Sequence, residues 1–121
     1  MKILIVDDDE NIGVVFETAF QKAGFQTVVA LNGKSAIDKA KAEKPNLILL
    51  DQVLPDISGN EVLRTLKADT ETRQIPILIL SNFTQEELVK EAIANEAMDY
   101  IFKYQIEPQD LVSKVRQILK V

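Results

Sequence analysis

Five side chains in this sequence carry groups that can bind a metal ion or a phosphoryl group, and each follows a short, mostly apolar run. They are Asp7, Asp8, Asp51, Ser81 and Lys103. The run before Asp51 has four consecutive large apolar residues, 47–50, and the turn-forming Pro55 and Gly59 come after it. Such a run is typical of a strand buried on both faces, as in the middle of a parallel sheet. The pattern therefore predicts that Asp51 lies where a central strand ends.

Brought together at one edge of a sheet, these groups would form a site for phosphoryl chemistry. Asp7, Asp8 and Asp51 would repel one another, which disfavours ionising all of them unless a cation is present. Oxygen ligands that leave room for water and phosphate oxygens are what Mg²⁺ prefers. The Lys103 ammonium and the Ser81 hydroxyl could then meet phosphoryl oxygens. Since carboxylates are established nucleophiles in phosphoryl transfer, the residue set indicates this reaction class.

Each of these residues also has an ordinary structural interpretation. Alone, Asp51 would begin a polar loop or cap the next helix, and the acids at 7–10 would favour a helix start through the helix dipole. Ser81 would be a turn hydroxyl, and Lys103 would be a surface charge. Such groups follow four of the predicted strands. One shared functional edge explains this better than four independent coincidences.

The elements that must position these groups alternate regularly along the chain. The pattern predicts strands near 2–6, 25–31, 47–50, 75–80 and 98–102, and helices near 12–23, 35–43, 60–68, 84–95 and 108–119. Strict alternation implies an α/β fold with a mostly parallel sheet and helices on both faces. Ligands of such sheets bind at the carboxyl ends of the strands, where the strand order reverses.

Within the helices, the apolar spacing makes further predictions. Val15 in the first helix and Ile93 in the fourth are expected to face the core. The fourth helix is expected to begin with a capping box that starts at Thr84.

Composition limits the classes of function. With 121 residues, 46% hydrophobic and 27% charged, the chain has the size of a single domain, residues 1–121. Cysteine and histidine are both absent, which excludes disulfides, thiolate or imidazole metal sites and serine–histidine catalysis. A net charge of −5 argues against direct nucleic-acid binding. The apolar run Ile3–Val6 is too short for a signal peptide or a membrane span, so we expect a cytoplasmic protein without membrane contact.

Taken in order, the motifs resemble the receiver domains of bacterial two-component response regulators, from Ile3 to the last helix. The matching segments are Ile-Leu-Ile-Val-Asp7-Asp8, Leu-Ile-Leu-Leu-Asp51 with Leu54-Pro55 and Gly59, Ile-Leu-Ile-Leu-Ser81, and Tyr100-Ile-Phe-Lys103. Each segment is a modest signal, but their order and spacing are highly specific. The resemblance implies a flavodoxin-like (βα)5 fold with strand order 2-1-3-4-5.

The resemblance also implies roles for the acidic residues. Asp51 would accept a phosphoryl group from a sensor histidine kinase or a phosphotransfer protein. Asp8 and the backbone carbonyl of Val53 would bind Mg²⁺ together with Asp51, while Asp7 would assist through a water molecule.

By the same resemblance, Ser81 and Lys103 would bind phosphoryl oxygens, and Tyr100 would be the aromatic residue whose rotamer follows Ser81. Considered only as a strand residue, Tyr100 would be half-buried with its hydroxyl in water. The surface formed by the fourth helix, fifth strand and fifth helix would bind a downstream target or an output domain.

Three positions depart from the family pattern. Tyr104 follows Lys103 where the family usually has a cis-linked proline, and a non-proline cis bond would cost about 2.5–4 kcal/mol, so a trans loop is expected. Glu96 stands where the family often has glycine, so a left-handed turn would be strained there unless Asn95 takes it. Asn82 replaces a usual small residue and would narrow the entrance to the site.

Two apolar residues, Val53 and Phe83, each lie two positions beyond a strand-end site residue. Both are expected to overhang the phosphoryl site and to hinder the water that would hydrolyse an acyl phosphate, because neither offers it a hydrogen-bond partner. The alternative is that Phe83 packs onto the fourth helix toward Leu88 or Val89 as a hydrophobic staple.

Three functions are therefore compared. The first is a binding module controlled by phosphorylation, which catalyses only its own phosphotransfer and dephosphorylation. The second is a pseudo-receiver that acts without phosphate, which the intact residue set disfavours. The third is a Mg²⁺-dependent phosphatase, which is disfavoured because Gln52 and Val53, rather than a second acid, follow Asp51 and no glycine-rich loop follows the first strand.

Overall fold

The computed structural model describes residues 1–83 and 85–121, in which strands and helices alternate. The elements are β1 (Lys2–Val6), α1 (Glu10–Lys22), β2 (Gln26–Ala30), α2 (Gly33–Glu43), β3 (Leu47–Leu50), α3 (Gly59–Ala68), β4 (Ile77–Ser81), α4 (Glu86–Ala94), β5 (Asp99–Phe102) and α5 (Pro108–Leu119), with a 3₁₀ turn at Lys103–Gln105. The strands form one parallel sheet in the order β2-β1-β3-β4-β5. The predicted flavodoxin-like fold and strand order are confirmed.

Two apolar cores cover the two faces of the sheet. One packs beneath α2, α3 and α4 and includes Leu4, Val62 and Ala92. The other packs beneath α1 and α5 and includes Ile3 and Phe20. Successive strand residues point to opposite faces, which is why neighbours such as Ile3 and Leu4 enter different cores.

The central strand β3 is buried on both faces, as its apolar run predicts. Each of its residues, Leu47–Leu50, is at most 1% exposed. At the end of this strand, α3 approaches closely: a Cβ atom at Gly59 would lie 2.3 Å from the carbonyl oxygen of Asp51. Glycine is therefore required there, and it keeps the start of α3 against the end of β3.

The predicted inward positions of Val15 and Ile93 are wrong. Val15 is 53% exposed and Ile93 is 51% exposed. Val15 directly precedes the buried Phe16, and Ile93 directly follows the buried Ala92. Adjacent residues of a helix point about 100° apart, so the neighbour of a buried residue can face solvent. The buried stripe on each helix is consequently narrower than the apolar spacing indicates.

The two ends of α4 also differ from simple sequence expectations. The helix begins at Glu86, after Gln85, whose side chain makes no capping hydrogen bond; Thr84, the predicted capping residue, lies outside the described residues. At the other end, the left-handed conformation falls on Glu96, with φ of 72°, and not on Asn95, with φ of −93°. The strain expected at this position is present.

Among residues 1–83 and 85–121, none of the helices combines the length and the apolar character that crossing a bilayer needs.

Candidate functional site

The carboxyl ends of β1 and β3 place Asp7 and Asp51 side by side. Val6 of β1 pairs in register with Leu50 of β3, so the residue after each strand occupies the same level of the sheet. Backbone hydrogen bonds hold both residues: the Asp7 N–H donates to the Ala30 carbonyl at 3.1 Å, and the Asp51 N–H donates to the Val6 carbonyl at 2.9 Å. Because the strand order reverses at β1, this is the edge where ligands of such folds bind.

The ammonium group of Lys103 joins the two buried carboxylates. Its Nζ donates to Asp7 Oδ2 at 2.8 Å and to Asp51 Oδ2 at 3.1 Å. The lysine side chain is 4% exposed, and those of Asp7 and Asp51 are 5% and 9% exposed. Buried charges require partners, and here one ammonium serves two carboxylates. Lys103 is therefore a member of the site rather than a surface charge.

Burial and charge shift the protonation of this group in opposite directions. Burial raises the pKa of the Asp51 carboxyl, and the Asp7 charge adds to this effect, while the Lys103 charge opposes it. Burial alone would lower the pKa of Lys103, but its hydrogen bond to Asp7 and the charges of Asp51 and Asp7 together raise it. The lysine therefore stays protonated, and ionised Asp51 depends on a nearby cation.

Asp8 is exposed at the same edge and completes a cluster of carboxylates. One oxygen each from Asp7, Asp8 and Asp51 lies within 4.8 Å of the others. The second oxygen of Asp7, Oδ1, accepts a hydrogen bond from the Asp9 N–H at 2.9 Å, which fixes the side chain. Two ligands on opposite sides of Mg²⁺ are about 4.2 Å apart, because each lies at about 2.1 Å from the ion. The oxygen chemistry of the cluster fits a magnesium ion, and oxygens up to 4.8 Å apart would have to draw slightly closer to bind it.

An open cavity of about 200 Å³ lies over this cluster. Val53 and Phe83 both line it, as do Asn82 and Tyr104. Val53 is 48% exposed and Phe83 is 41% exposed, so both apolar side chains border solvent at the mouth of the cavity. Phe83 thus lies beside the site, and its effect on water stays a prediction.

Ser81 and Tyr100 lie behind the cavity and hold the backbone of Phe83. Ser81 is fully buried, does not line the cavity, and its Oγ accepts a hydrogen bond from the Phe83 N–H at 3.1 Å. The Tyr100 hydroxyl donates to the Phe83 carbonyl at 2.9 Å. Since Tyr100 is only 8% exposed, the expectation of a half-buried ring with a hydroxyl in water is wrong. The packing of Tyr100 against the core directs the hydroxyl to a backbone partner instead.

Comparison with known proteins identifies the family of this chain. Residues 3–116 match the family model described as the response regulator receiver domain. The chain belongs to the response regulator receiver family.

Curated relatives of this receiver domain are longer proteins. It is 37% identical over 118 residues to the phosphate regulon transcriptional regulatory protein PhoB of Pseudomonas aeruginosa, a match that covers 98% of this chain and 51% of that protein. It is 34% identical over 119 residues to the alkaline phosphatase synthesis transcriptional regulatory protein PhoP of Bacillus subtilis, covering 98% of this chain and 48% of that protein. The chain thus spans about half the length of these relatives.

Solved structures of receiver domains superpose closely on this one. A CheY-like receiver domain protein from Methanospirillum hungatei has a TM-score of 0.92 at 27% identity, with 98% of this chain and 93% of that chain covered. The BeF3-activated receiver domain of RstA from Klebsiella pneumoniae has a TM-score of 0.88 at 30% identity, with 97% of both chains covered.

Two of the departures from the family pattern, Asn82 and Tyr104, line the cavity over the acidic cluster. None of the peptide bonds in the described residues is cis, so the Lys103–Tyr104 bond is trans, as expected for a non-proline residue. Tyr104 is 77% exposed and forms part of the cavity wall with Asn82. The entrance to the site is therefore bordered by an exposed aromatic ring and an amide.

Sequence reasoning missed the role of Asp56 in the loop that carries Val53. The Asp56 carboxylate accepts hydrogen bonds from the N–H groups of Gly33 at 2.7 Å and Lys34 at 2.9 Å, at the start of α2, and from its neighbour Ile57 at 2.8 Å. This ties the loop after β3 to a different helix. The sequence does show an acid, Asp56, in a turn and an Asn-Gly pair at the start of α2. Nothing in the sequence indicates that these two segments contact each other.

Sequence reasoning also missed two buried polar residues next to the phosphoryl site. Gln52, directly after Asp51, and Asn60, in the first turn of α3, are both 2% exposed. A polar residue that ends an apolar run is a weak signal, because it is equally consistent with an exposed loop.

Proposed function

We propose that this receiver domain accepts a phosphoryl group on Asp51 in a Mg²⁺-dependent reaction and signals through the surface of α4, β5 and α5. The observation that carries the proposal is the buried Asp51 carboxylate, which the Lys103 ammonium links to Asp7 beneath an open cavity. A carboxylate in this setting is accessible to a phosphodonor from one side only. Its environment supplies the charge neutralisation that phosphoryl transfer needs.

In the proposed reaction, an Asp51 carboxylate oxygen attacks phosphorus, and the bond between phosphorus and the donor atom breaks with its electron pair leaving on the donor. The Lys103 Nζ, now 3.1 Å from Asp51 Oδ2, is placed to bond a phosphoryl oxygen after transfer. The Ser81 hydroxyl is a further donor, and it would have to exchange its present partner, the Phe83 N–H. Transfer therefore requires movement of the segment after β4.

Asp8 and Asp51 would hold the magnesium ion, with the Val53 carbonyl as an additional ligand and Asp7 assisting through a water molecule. A magnesium ion held there would neutralise charge on the carboxylates and on the incoming phosphoryl group. Asp8 is the exposed member of the cluster and is proposed as the ligand that meets the ion first. Replacing Asp8→Asn should weaken Mg²⁺ binding and raise the melting temperature without Mg²⁺, because it removes one of the mutually repelling charges.

The proposed partners follow from membership of this family. A sensor histidine kinase or a phosphotransfer protein would supply the phosphoryl group in the cytoplasm. A downstream target or an output domain would bind the surface of α4, β5 and α5, where Tyr100 would report the state of Ser81. This domain is not proposed to bind nucleic acid or a membrane itself.

Intact-mass measurement after incubation with Mg²⁺ and a small phosphoryl donor, such as an acyl phosphate or a phosphoramidate, tests this proposal. The expected result is one added phosphoryl group, which EDTA prevents and Asp51→Asn abolishes. Asp38→Asn is the matched control, since this exposed carboxylate on α2 lies outside the cluster. Phosphorylation of Asp51→Asn at the wild-type level would disprove the assignment of Asp51.

Two other functions give different results in the same experiment. A pseudo-receiver would gain no mass under any condition, although its acidic cluster could still bind Mg²⁺. A phosphatase would turn over a phosphomonoester in large excess over protein. The intact arrangement of Asp7, Asp51 and Lys103 favours the phosphorylation-controlled module over both.

A further inference from the structure

The residue after the proposed phosphoacceptor is bound to the first turn of α3 through both its backbone and its side chain. The Gln52 carbonyl accepts a hydrogen bond from the Gly59 N–H at 2.7 Å, and its side-chain Oε1 accepts one from the Asn60 N–H at 3.0 Å. The first amides of a helix have no partners within the helix. Gln52 therefore satisfies two of them, and the Asp51–Gln52 turn moves together with the start of α3.

Asn60 extends this contact to α4. Its Nδ2 donates to the backbone carbonyl of Leu88, in the first turn of α4, at 3.4 Å, which is a long and therefore weak hydrogen bond. In α4 itself, Ala92 is the buried residue among those described. Val89 in the first turn packs against the core but is only partly buried, so the polar contact from Asn60 adds to what holds the start of this helix.

The remaining polar atoms of this pair have no partner among the described residues. They are the donor Nε2 of Gln52 and the acceptor Oδ1 of Asn60, both buried. Buried donors and acceptors are nearly always hydrogen-bonded, and an unpaired one is costly. Leucine at position 60 would avoid the cost of the unpaired Oδ1, so stability does not explain Asn60, whereas Gln52 Oε1 is the partner of the Asn60 N–H.

The two unpaired atoms are complementary to each other. If reorientation of the Asn60 amide brought its Oδ1 to Gln52 Nε2, the two atoms would pair, and Nδ2 would leave the Leu88 carbonyl. Beside the present arrangement, in which Asn60 holds α4, this would give a second one in which the amides of Gln52 and Asn60 bond each other and α4 is released. Which arrangement forms depends on the position of Gln52, which is set by its covalent neighbour Asp51.

We propose that Gln52 and Asn60 are positioning residues that couple the state of Asp51 to α4. This inference rests on the proposed function for its phosphorylated state, but its unphosphorylated state can be tested alone. With Asp51 free, Asn60 holds the first turn of α4. When Asp51 carries a phosphoryl group, the displaced Gln52 takes the Asn60 amide and α4 is released.

The first test compares amide hydrogen exchange of unphosphorylated wild type and Asn60→Leu, with urea unfolding of the same proteins. Losing one weak hydrogen bond should make exchange in residues 86–92 about two- to fivefold faster. Overall stability should not fall, because Leu removes an unpaired buried acceptor. Arg64→Gln is the control: it breaks the exposed pair between α3 and α4, Arg64 with Glu91 at 3.8 Å, and should leave exchange unchanged.

Unchanged exchange of α4 in Asn60→Leu would overturn the proposal, as would an equal increase in α3 and α4, which would show only a general loss of stability. If Asn60→Leu does not fold, Asn60→Ala serves the same comparison.

The second test uses beryllofluoride with Mg²⁺ as a stable mimic of the phosphoryl group. In wild type, loading should make exchange in residues 86–92 faster, because α4 is released; in Gln52→Leu/Asn60→Leu that increase should shrink to less than half, with equal loading by mass. A full response in the double variant would overturn the coupling. Failure of wild type to load would count against the proposed function instead, and the unphosphorylated comparison would still decide whether Asn60 holds α4.

Discussion

The hydroxyl of Tyr100 donates a hydrogen bond of 2.9 Å to the backbone carbonyl of Phe83. The N–H of the same Phe83 donates to Ser81, so one peptide segment is held from both sides by the two residues proposed as switch elements. Phe83 also lines the cavity over Asp51. If Ser81 gives up this hydrogen bond, the Phe83 backbone is free to move, and Tyr100 is bonded to the same backbone. Phe83 therefore links the side chain of Ser81 physically to that of Tyr100.

Removing the Tyr100 hydroxyl should loosen this segment. We expect Tyr100→Phe to lower the free energy of unfolding by about 1 kcal/mol and to speed exchange of the Phe83 amide, because one buried hydrogen bond is lost while the ring packing remains. Urea unfolding and hydrogen exchange measure the two effects. Tyr104→Phe is the matched control, since Tyr104 is 77% exposed and should lose nothing. Equal effects of both substitutions would show that the Phe83 contact is unimportant.

The apolar mouth of the cavity should prolong the phosphorylated state. Val53 and Phe83 line the cavity and offer an attacking water no hydrogen-bond partner, so the water should be poorly placed in line with phosphorus. Val53→Asn, Phe83→Glu and the double variant should therefore lose phosphate faster than wild type. Decay of phosphorylated protein after donor removal, at fixed Mg²⁺, measures this. The same decay rate in all four proteins would show that these side chains do not control the water.

The contact of Asp56 with the start of α2 should make stability depend on pH in the acid range. Hydrogen bonds from backbone N–H groups, that of Lys34 first, lower the pKa of Asp56 to about 2. The carboxylate is more acidic in the folded protein, so its contribution is fully present above its unfolded pKa of about 3.9. That contribution is lost as the pH falls through the folded value of about 2.

Asp56→Asn should therefore be less stable than wild type at pH 6, and the difference should close as the pH falls from about 4 to about 2. Urea midpoints of both proteins across this range measure it. Glu71→Gln, which removes an exposed carboxylate from a different loop, should show no such convergence. A difference that persists unchanged at the lowest pH would mean that the charge of Asp56 is not its cause.

The left-handed residue before β5 should be a site where stability can be gained. Glu96 has φ of 72°, a conformation that costs a non-glycine residue about 1–2 kcal/mol. Glycine removes this cost but adds roughly 0.5–1 kcal/mol of backbone freedom in the unfolded chain. Glu96→Gly should therefore raise the free energy of unfolding by about 0.5–1 kcal/mol, as measured by urea unfolding. Glu96→Ala keeps the strain and removes the charge; an equal gain there would assign the effect to charge.

Much of the fold could be predicted because its signals are local. The unbroken apolar run 47–50 identified a central strand, and regular strand–helix alternation led to the parallel sheet. Acids and a lysine directly after strands were expected at one edge, and the structure places Asp7, Asp8, Asp51 and Lys103 there. These inferences hold because hydrophobic periodicity and residue type are properties of neighbouring residues.

The contacts that give the site its detail were decided by tertiary structure. Lys103 forms hydrogen bonds with Asp7, which is 96 positions earlier in the chain, and with Asp51, which is 52 positions earlier. Asp56 accepts a hydrogen bond from Lys34 at the start of α2, which is 22 positions earlier. The burial of Gln52 and Asn60 could not be read from the sequence, since each looks like an ordinary loop or helix-surface residue. The partners of these side chains depend on how the helices and loops pack against the sheet. Local sequence patterns do not show which residues, far apart in the chain, are brought together by that packing.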